Sequence, residues 1–72
     1  MTDIERLIAA GEALYGRTWQ AQLSDLLEID PRRIRQWVDG SRPISHGIWL
    51  EISAELRKRG KNALDLAKDL QM

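Results

Sequence analysis

The side chains best suited to molecular recognition lie close together between residues 31 and 42. Four of them share one short segment: Arg32, Arg33, Arg35 and Gln36. An arginine guanidinium presents a fork of N–H donors that fits O6 and N7 of guanine, and a glutamine carboxamide fits N6 and N7 of adenine. These residue types favour hydrogen bonding to base edges in the major groove of double-stranded DNA.

The charge distribution favours the same interpretation, although the chain as a whole is neutral with 11 basic and 11 acidic residues. Residues 1–30 carry a net charge of −4, residues 31–48 a net charge of +3 and residues 49–72 a net charge of +1. Electrostatic steering depends on the local field as well as on the sum of charges. One basic face on a neutral chain is therefore compatible with binding a polyanion.

Catalytic and metal-binding functions find little support in the 72 residues. There is no cysteine and a single histidine, His46, so disulfides and zinc sites lack ligands. The four serines have only His46 as a candidate base, and no glycine-rich loop could hold a phosphate. We therefore expect no enzyme, no cofactor, no metal and no small-molecule effector.

The length predicts one small domain over residues 1–72. No apolar run approaches the ~20 residues of a membrane-spanning helix. The N-terminus lacks the basic-then-apolar order of a signal peptide. We expect a cytoplasmic protein of a bacterial or phage-infected cell, with no membrane partner, that is nucleoid-associated when bound.

Helical periodicity predicts an all-α fold, a small bundle of five helices. Thr2 or Asp3 caps the first helix, and Glu5 follows Thr2 at the spacing of a capping box. Gly16 ends this helix, and Thr18 caps the second.

The third helix has the sharpest boundaries in the sequence. Asp30 stands as an N-cap directly before Pro31, and Gly40 is a natural left-handed stop. At ~100° per residue, the apolar and polar side chains of this helix separate onto opposite sides. The apolar side holds Ile34, Trp37 and Val38; the polar side holds Arg32, Arg35, Gln36 and Asp39, with Arg33 at the margin. Asp39 also stands four residues after Arg35, where it could hold that arginine in an ion pair.

Two more helices are expected after the loop that follows Gly40. Ser45 caps the fourth, with Ile44 and Trp49 spaced as a hydrophobic staple, and Gly60 ends it. Asn62 begins a short fifth helix.

The fifth helix, within residues 61–72, is the expected dimerisation element. Its apolar side chains include Leu64, Leu66 and Leu70. A short helix is marginal in water unless it packs on something. Two alternatives remain open: pairing with a second copy of the chain, or packing back on the first helix.

Residues 20–40, QAQLSDLLEIDPRRIRQWVDG, resemble the helix-turn-helix of the phage Cro and repressor (XRE-like) family. The segment opens on glutamine, closes on glycine and has apolar residues at the family positions: Leu23, Leu27, Ile29, Ile34 and Trp37. Ser24 replaces the usual small alanine. Glu28 replaces the usual turn glycine, so it must either adopt a left-handed conformation or shift the turn. With the flanking helices, the resemblance covers roughly residues 4–60.

The resemblance implies a repressor-like DNA-binding domain with a helix-turn-helix over about residues 18–39. The third helix then reads bases through Arg32, Arg33, Arg35 and Gln36. Gln20 matches the family glutamine that bonds a backbone phosphate, and further phosphate contacts are expected from Arg17, Thr18, Ser41 and Arg42. For Thr18 and Ser41 the alternative is ordinary capping and turn chemistry. Trp19 is either the edge of the core or a platform beside the DNA backbone, and the core edge is favoured.

The sequence thus predicts a sequence-specific transcriptional regulator that binds double-stranded DNA. It would be a small repressor or autoregulator that acts by occupying an operator, as a homodimer on an inverted repeat. The alternative is a small helical protein-interaction module, antitoxin-like or a phage accessory protein, with little or no DNA binding.

Overall fold

The computed structural model describes residues 1–71, which form four α-helices and one short 3-10 helix without any strand. The elements are α1 (Asp3–Tyr15), the 3-10 helix (Gly16–Thr18), α2 (Trp19–Leu27), α3 (Pro31–Asp39) and α4 (His46–Leu70). Because the 3-10 helix joins α1 directly to α2, the chain makes three uninterrupted helical segments. The all-α prediction is confirmed, and the predicted bundle of five helices is wrong.

Helix α1 begins at the predicted capping box. The Thr2 hydroxyl accepts a hydrogen bond from the Glu5 backbone N–H at 3.1 Å, and the Thr2 N–H donates to Glu5 Oε1 at 3.0 Å. Hydrogen bonding to the backbone and side chain of Thr2 lowers the pKa of the Glu5 carboxyl. Gly16 follows the last residue of α1 with a φ of 73°. Thr18 precedes α2 but makes no capping hydrogen bond, so its predicted capping role is wrong.

The core is built from all four α-helices. Its buried apolar members are Leu7 and Leu14 of α1, Trp19, Leu23 and Leu27 of α2, Ile34 and Trp37 of α3, and Ile52 of α4. Helix α1 packs on each of the other three helices, and α2 also packs on α3. The core therefore forms around α1, and it orients α2 and α3 relative to each other.

The predicted boundary between a fourth and a fifth helix does not exist. Helix α4 runs through Gly60 and Asn62 to Leu70, and neither residue ends or caps a helix. A glycine in a helix interior costs only about 1 kcal/mol relative to alanine. Strong helix formers on both sides of Gly60 outweigh that cost. The last residue of the predicted range 61–72, Met72, lies outside the described residues.

The C-terminal half of α4 projects beyond the packed body. Every residue from 57 to 71 is exposed, and the molecule measures 49 × 21 × 18 Å. The alternative that this segment packs back on the first helix is therefore wrong. Within residues 1–71, none of the helices combines the length and the apolar character needed to cross a membrane.

Arg59 connects α4 to the packed body. Its Nε donates to Glu55 Oε1 at 3.1 Å, and its Nη1 donates to the Leu14 carbonyl at 3.4 Å. The guanidinium carbon also lies 4.8 Å from the centre of the Tyr15 ring, within the range of a cation–π contact. One side chain thus joins α4 to the end of α1.

Trp19 belongs to the core, as favoured from the sequence, with 6% of its surface exposed. Its ring lies directly on the backbone of Gly11. A Cβ at Gly11 would overlap Cε3 and Cδ2 of that ring. The close approach of α1 and α2 at this point therefore requires a residue without a side chain.

We expect Gly11→Ala to lower the free energy of unfolding by about 1–3 kcal/mol, because an added methyl overpacks a filled core. Urea unfolding followed by tryptophan fluorescence measures this change. Gly60→Ala is the matched control, since a Cβ at Gly60 meets no atom within 4 Å. The control should raise helicity by circular dichroism without lowering the melting temperature. Unchanged stability in Gly11→Ala would contradict the Trp19 contact, and lost helicity in Gly60→Ala would contradict a continuous α4.

Candidate nucleic-acid interface

The start of α3 is fixed by the predicted cap. Asp30 Oδ1 accepts a hydrogen bond from the Arg32 backbone N–H at 2.9 Å, and the Asp30 carbonyl accepts one from the Arg33 N–H at 2.9 Å. Pro31 occupies the first helical position, where its missing N–H costs nothing. Gly40 follows the helix with a φ of 82°. Both predicted boundaries of this helix are confirmed.

Burial of one side of α3 determines which side faces outwards. Ile34 is fully buried and Trp37 is 3% exposed. The four predicted base-reading residues are all exposed: Arg32, Arg33, Arg35 and Gln36. Because Arg32 and Gln36 are one helical turn apart, they present a guanidinium and a carboxamide on the same outer side.

Asp39 does not hold Arg35 in an ion pair. Its Oδ1 accepts a hydrogen bond from the Ser41 backbone N–H at 2.8 Å. Hydrogen bonding from Ser41 lowers the pKa of the Asp39 carboxyl. Among residues 1–71, the side-chain ion pairs are Arg6–Asp3 and Arg59–Glu55. The guanidinium of Arg35 therefore remains available to a ligand.

The loop after α3 is tied to the end of that helix. The Arg42 backbone N–H donates a hydrogen bond to the Gln36 carbonyl at 3.2 Å, and the Ser41 hydroxyl donates to the same carbonyl oxygen at 3.4 Å. Ser41 thus takes part in this turn, and its phosphate contact stays a prediction. The hydrogen bond from Arg42 holds its backbone beside α3.

Arg33 lies beside the loop that follows α3 and shares a groove with it, whereas Arg32 and Gln36 do not line that groove. A groove of about 440 Å³ separates α3 from the start of α4. Its lining consists of Arg33, Trp37, Arg42, Pro43, Ser45 and Ile48. Two guanidinium groups therefore border one groove. Sequence reasoning did not single out Pro43, Ser45 or Ile48 for this surface, although Arg33 stands four residues before Trp37 and so shares its side.

The other predicted phosphate-binding residues lie before and within the first turn of α2. Arg17 and Thr18 are exposed on the 3-10 helix, and Gln20 is partly buried. Because α2 directly continues the 3-10 helix and has no side-chain cap, its N-terminus is not an isolated helix end. Hydrogen bonds join Ser41 and Arg42 to α3. Arg17, Thr18 and Gln20, in contrast, belong to the 3-10 helix and α2.

The turn between α2 and α3 stays at the three residues expected from the sequence, because Glu28 adopts the left-handed conformation, with φ 55° and ψ 46°. The Ile29 N–H donates to the Ser24 carbonyl at 3.0 Å, and the Glu28 N–H donates to the Asp25 carbonyl at 3.3 Å. This pair of bonds is a Schellman motif, which normally places glycine at the left-handed position. Of the two possibilities left open by the sequence, Glu28 therefore tolerates the unfavourable dihedral angles and the turn does not shift.

Within residues 1–71, no group of three histidine, aspartate or glutamate side chains is arranged to hold a metal ion. Comparisons of the chain with protein-family models, with curated proteins and with solved structures found no match.

We expect Glu28→Gly to raise the free energy of unfolding by about 0.5–1 kcal/mol. Glycine adopts the left-handed conformation without the steric cost that an L side chain incurs, and this gain exceeds its larger loss of chain entropy. Chemical denaturation measures the change.

Glu28→Ala is the matched control for this turn. It removes the same carboxylate but keeps a Cβ, so it should give no such gain. If both variants stabilised the protein equally, the charge of Glu28 and not its backbone conformation would be the cause.

Proposed function

We propose that this protein is a sequence-specific regulator of transcription that binds double-stranded DNA through α3. It acts as a small repressor or autoregulator by occupying an operator, in the cytoplasm of a bacterial or phage-infected cell. Its similarity to the phage Cro and repressor helix-turn-helix, over the segment that forms α2, the turn and α3, supports this function.

The observation that carries the proposal is the outer side of α3. Arg32, Arg35 and Gln36 are exposed there, on a helix whose other side is anchored in the core by Ile34 and Trp37. Exposed arginines are common on helices. Here, however, they lie on the second helix of a pair joined by a three-residue turn, the arrangement that places a helix in the major groove.

Phosphate binding must come from side chains and not from the start of α3. Asp30 already accepts from the backbone N–H groups there, and its carboxylate would repel an anion. Arg42 and Arg33 border the groove between α3 and the start of α4, and Arg17 and Gln20 lie near the start of α2. We assign phosphate contacts to Arg17, Gln20 and Arg42, with supporting contacts from Thr18 and Ser41.

Fluorescence anisotropy with labelled duplex DNA tests the proposal directly. Binding should weaken steeply as salt rises, because neutralised phosphates release counterions. Selection from random duplexes should recover a defined site. An absence of binding at ~50 mM salt would contradict DNA binding at this surface.

A second function is favoured by a different observation. The projecting half of α4 exposes Leu64, Leu66 and Leu70, which fits a helical protein-interaction module, antitoxin-like or a phage accessory protein. Such a module would lose partner binding on substitution in α4 and keep it on substitution in α3. DNA binding through α3, by contrast, would be lost on substitution in α3.

We expect Arg32→Ala and Gln36→Ala each to weaken binding to the selected site by about 1–3 kcal/mol and to relax base preference at one position of each half-site. Arg57→Ala, on α4, and Gln71→Ala, directly after it, are matched controls at exposed positions away from α3. They should leave base preference unchanged. Wild-type affinity and preference in both α3 variants would show that the base-reading side is elsewhere.

Arg42→Ala should weaken binding to specific and unrelated DNA alike, since phosphate contacts position a protein without reading sequence. The slope of log affinity against log salt should fall by about one unit. Gln20→Ala should also weaken both, but with little change of slope because it carries no charge. A change of base preference alone in either variant would move that residue to the base-reading set.

A further inference from the structure

The apolar side of α4 continues past the point where the body ends. Within the body, Ile52 and Leu56 pack on or against the core. The same line then passes through Arg59, Ala63, Leu66 and Leu70, at alternating spacings of four and three residues. This spacing keeps side chains on one side of a helix and is the repeat of paired helices.

Within residues 1–71, nothing covers the second part of this line. Leu66 is 58% exposed and Leu70 is 75% exposed. Leu64 is 65% exposed but lies ~160° around the helix from Leu66, so it is not part of the line. The face to be covered therefore comprises Ala63, Leu66, Ala67 and Leu70, which we call the distal face.

We propose that the distal face binds the distal face of a second copy of this chain, with the two α4 helices antiparallel. The inference stands independently of DNA binding. Gly60, Ala63 and Ala67 are small residues along or beside the line. They let two helix backbones approach closely, while Leu66 and Leu70 supply the apolar contact.

The charges of α4 select the antiparallel orientation. Four cations lie within residues 57–61: Arg57, Lys58, Arg59 and Lys61. Both acidic residues of the exposed segment, Asp65 and Asp69, lie nearer the tip, where Lys68 stands between them and leaves a net charge of −1 over residues 62–71. A parallel pair would place the two cationic clusters side by side, at a separation within the ~8 Å screening length of physiological salt. An antiparallel pair separates the clusters and brings each one towards the acids of the other copy.

The antiparallel arrangement also limits the assembly to two chains. An antiparallel pair of identical faces has two-fold symmetry, so it ends at a dimer and does not continue as a filament. Because each copy contributes only about three turns of helix, the interface is at the small end of the range for protein complexes. We expect a weak dimer, with a dissociation constant on the order of 100 μM.

Sedimentation velocity of the full chain from about 10 μM to about 500 μM tests the proposal, and should show a monomer–dimer equilibrium. Leu66→Ser should raise the dissociation constant by about tenfold or more, since each dimer loses two buried leucines. Leu64→Ser is the matched control, with the same change on the same exposed helix, and should dissociate like the wild type. Both substitutions are at exposed positions, and circular dichroism verifies that the fold is retained.

A monomer at every concentration would overturn the proposal, as would equal weakening by the two serine variants. Orientation has its own test, because the chain contains no cysteine. Leu70→Cys should form no disulfide under mild oxidation in the antiparallel dimer, where the two positions lie roughly 10 Å apart along the helices. Rapid disulfide formation would show a parallel pair and overturn the orientation. Failure of DNA binding would leave each of these results unchanged.

Discussion

Burial of Ile34 and Trp37 is the constraint on which the arrangement of this molecule depends. Fully burying one large apolar side chain contributes about 1.5–3 kcal/mol, which is a large share of the stability of so small a domain. Turning α3 by half a revolution would expose both residues and bury guanidinium groups without partners, at a much greater cost. The exposure of Arg32, Arg35 and Gln36 is therefore a consequence of core packing.

The first half of α4 is packed and the second half is exposed, because the apolar body is shorter than the helix. Helix α4 packs on α1 as far as Arg59, whose guanidinium reaches the Leu14 carbonyl and the Tyr15 ring. Beyond that residue the described part of the helix, as far as Leu70, is exposed. It depends on its own propensity and on the cooperativity that continues it from the packed half. The sequence supports this with good helix formers (lysine, alanine and leucine) at seven of the residues 60–70, against the weaker Gly60, Asn62, Asp65 and Asp69.

The sequence correctly predicted the helix boundaries that depend only on contacts between neighbouring residues. The Thr2–Glu5 capping box, Asp30 before Pro31 and the stop at Gly40 each need only a few neighbouring residues. The helix end predicted from Gly60 and Asn62 also rested on local signals, and it is wrong. Both residues are typical of helix ends, but here the residues around them favour continuing the helix. The pairing of Arg33 with Arg42 across one groove depends on the path of a loop, which no periodicity encodes.

The neutral net charge conceals a separation that is useful for binding a polyanion. The acidic residues before α3 lie on α1, on α2 and in the turn, where Asp30 caps α3 and Glu28 is held left-handed. The arginines lie on the outer side of α3 and in the loop tied to its end by the Gln36 carbonyl. In the proposed complex, an approaching duplex would therefore be attracted along α3 towards Arg42 and repelled at the α2–α3 turn. Such a gradient would orient the helix in the groove before any base is contacted, because the field acts over about a Debye length whereas hydrogen bonds need contact.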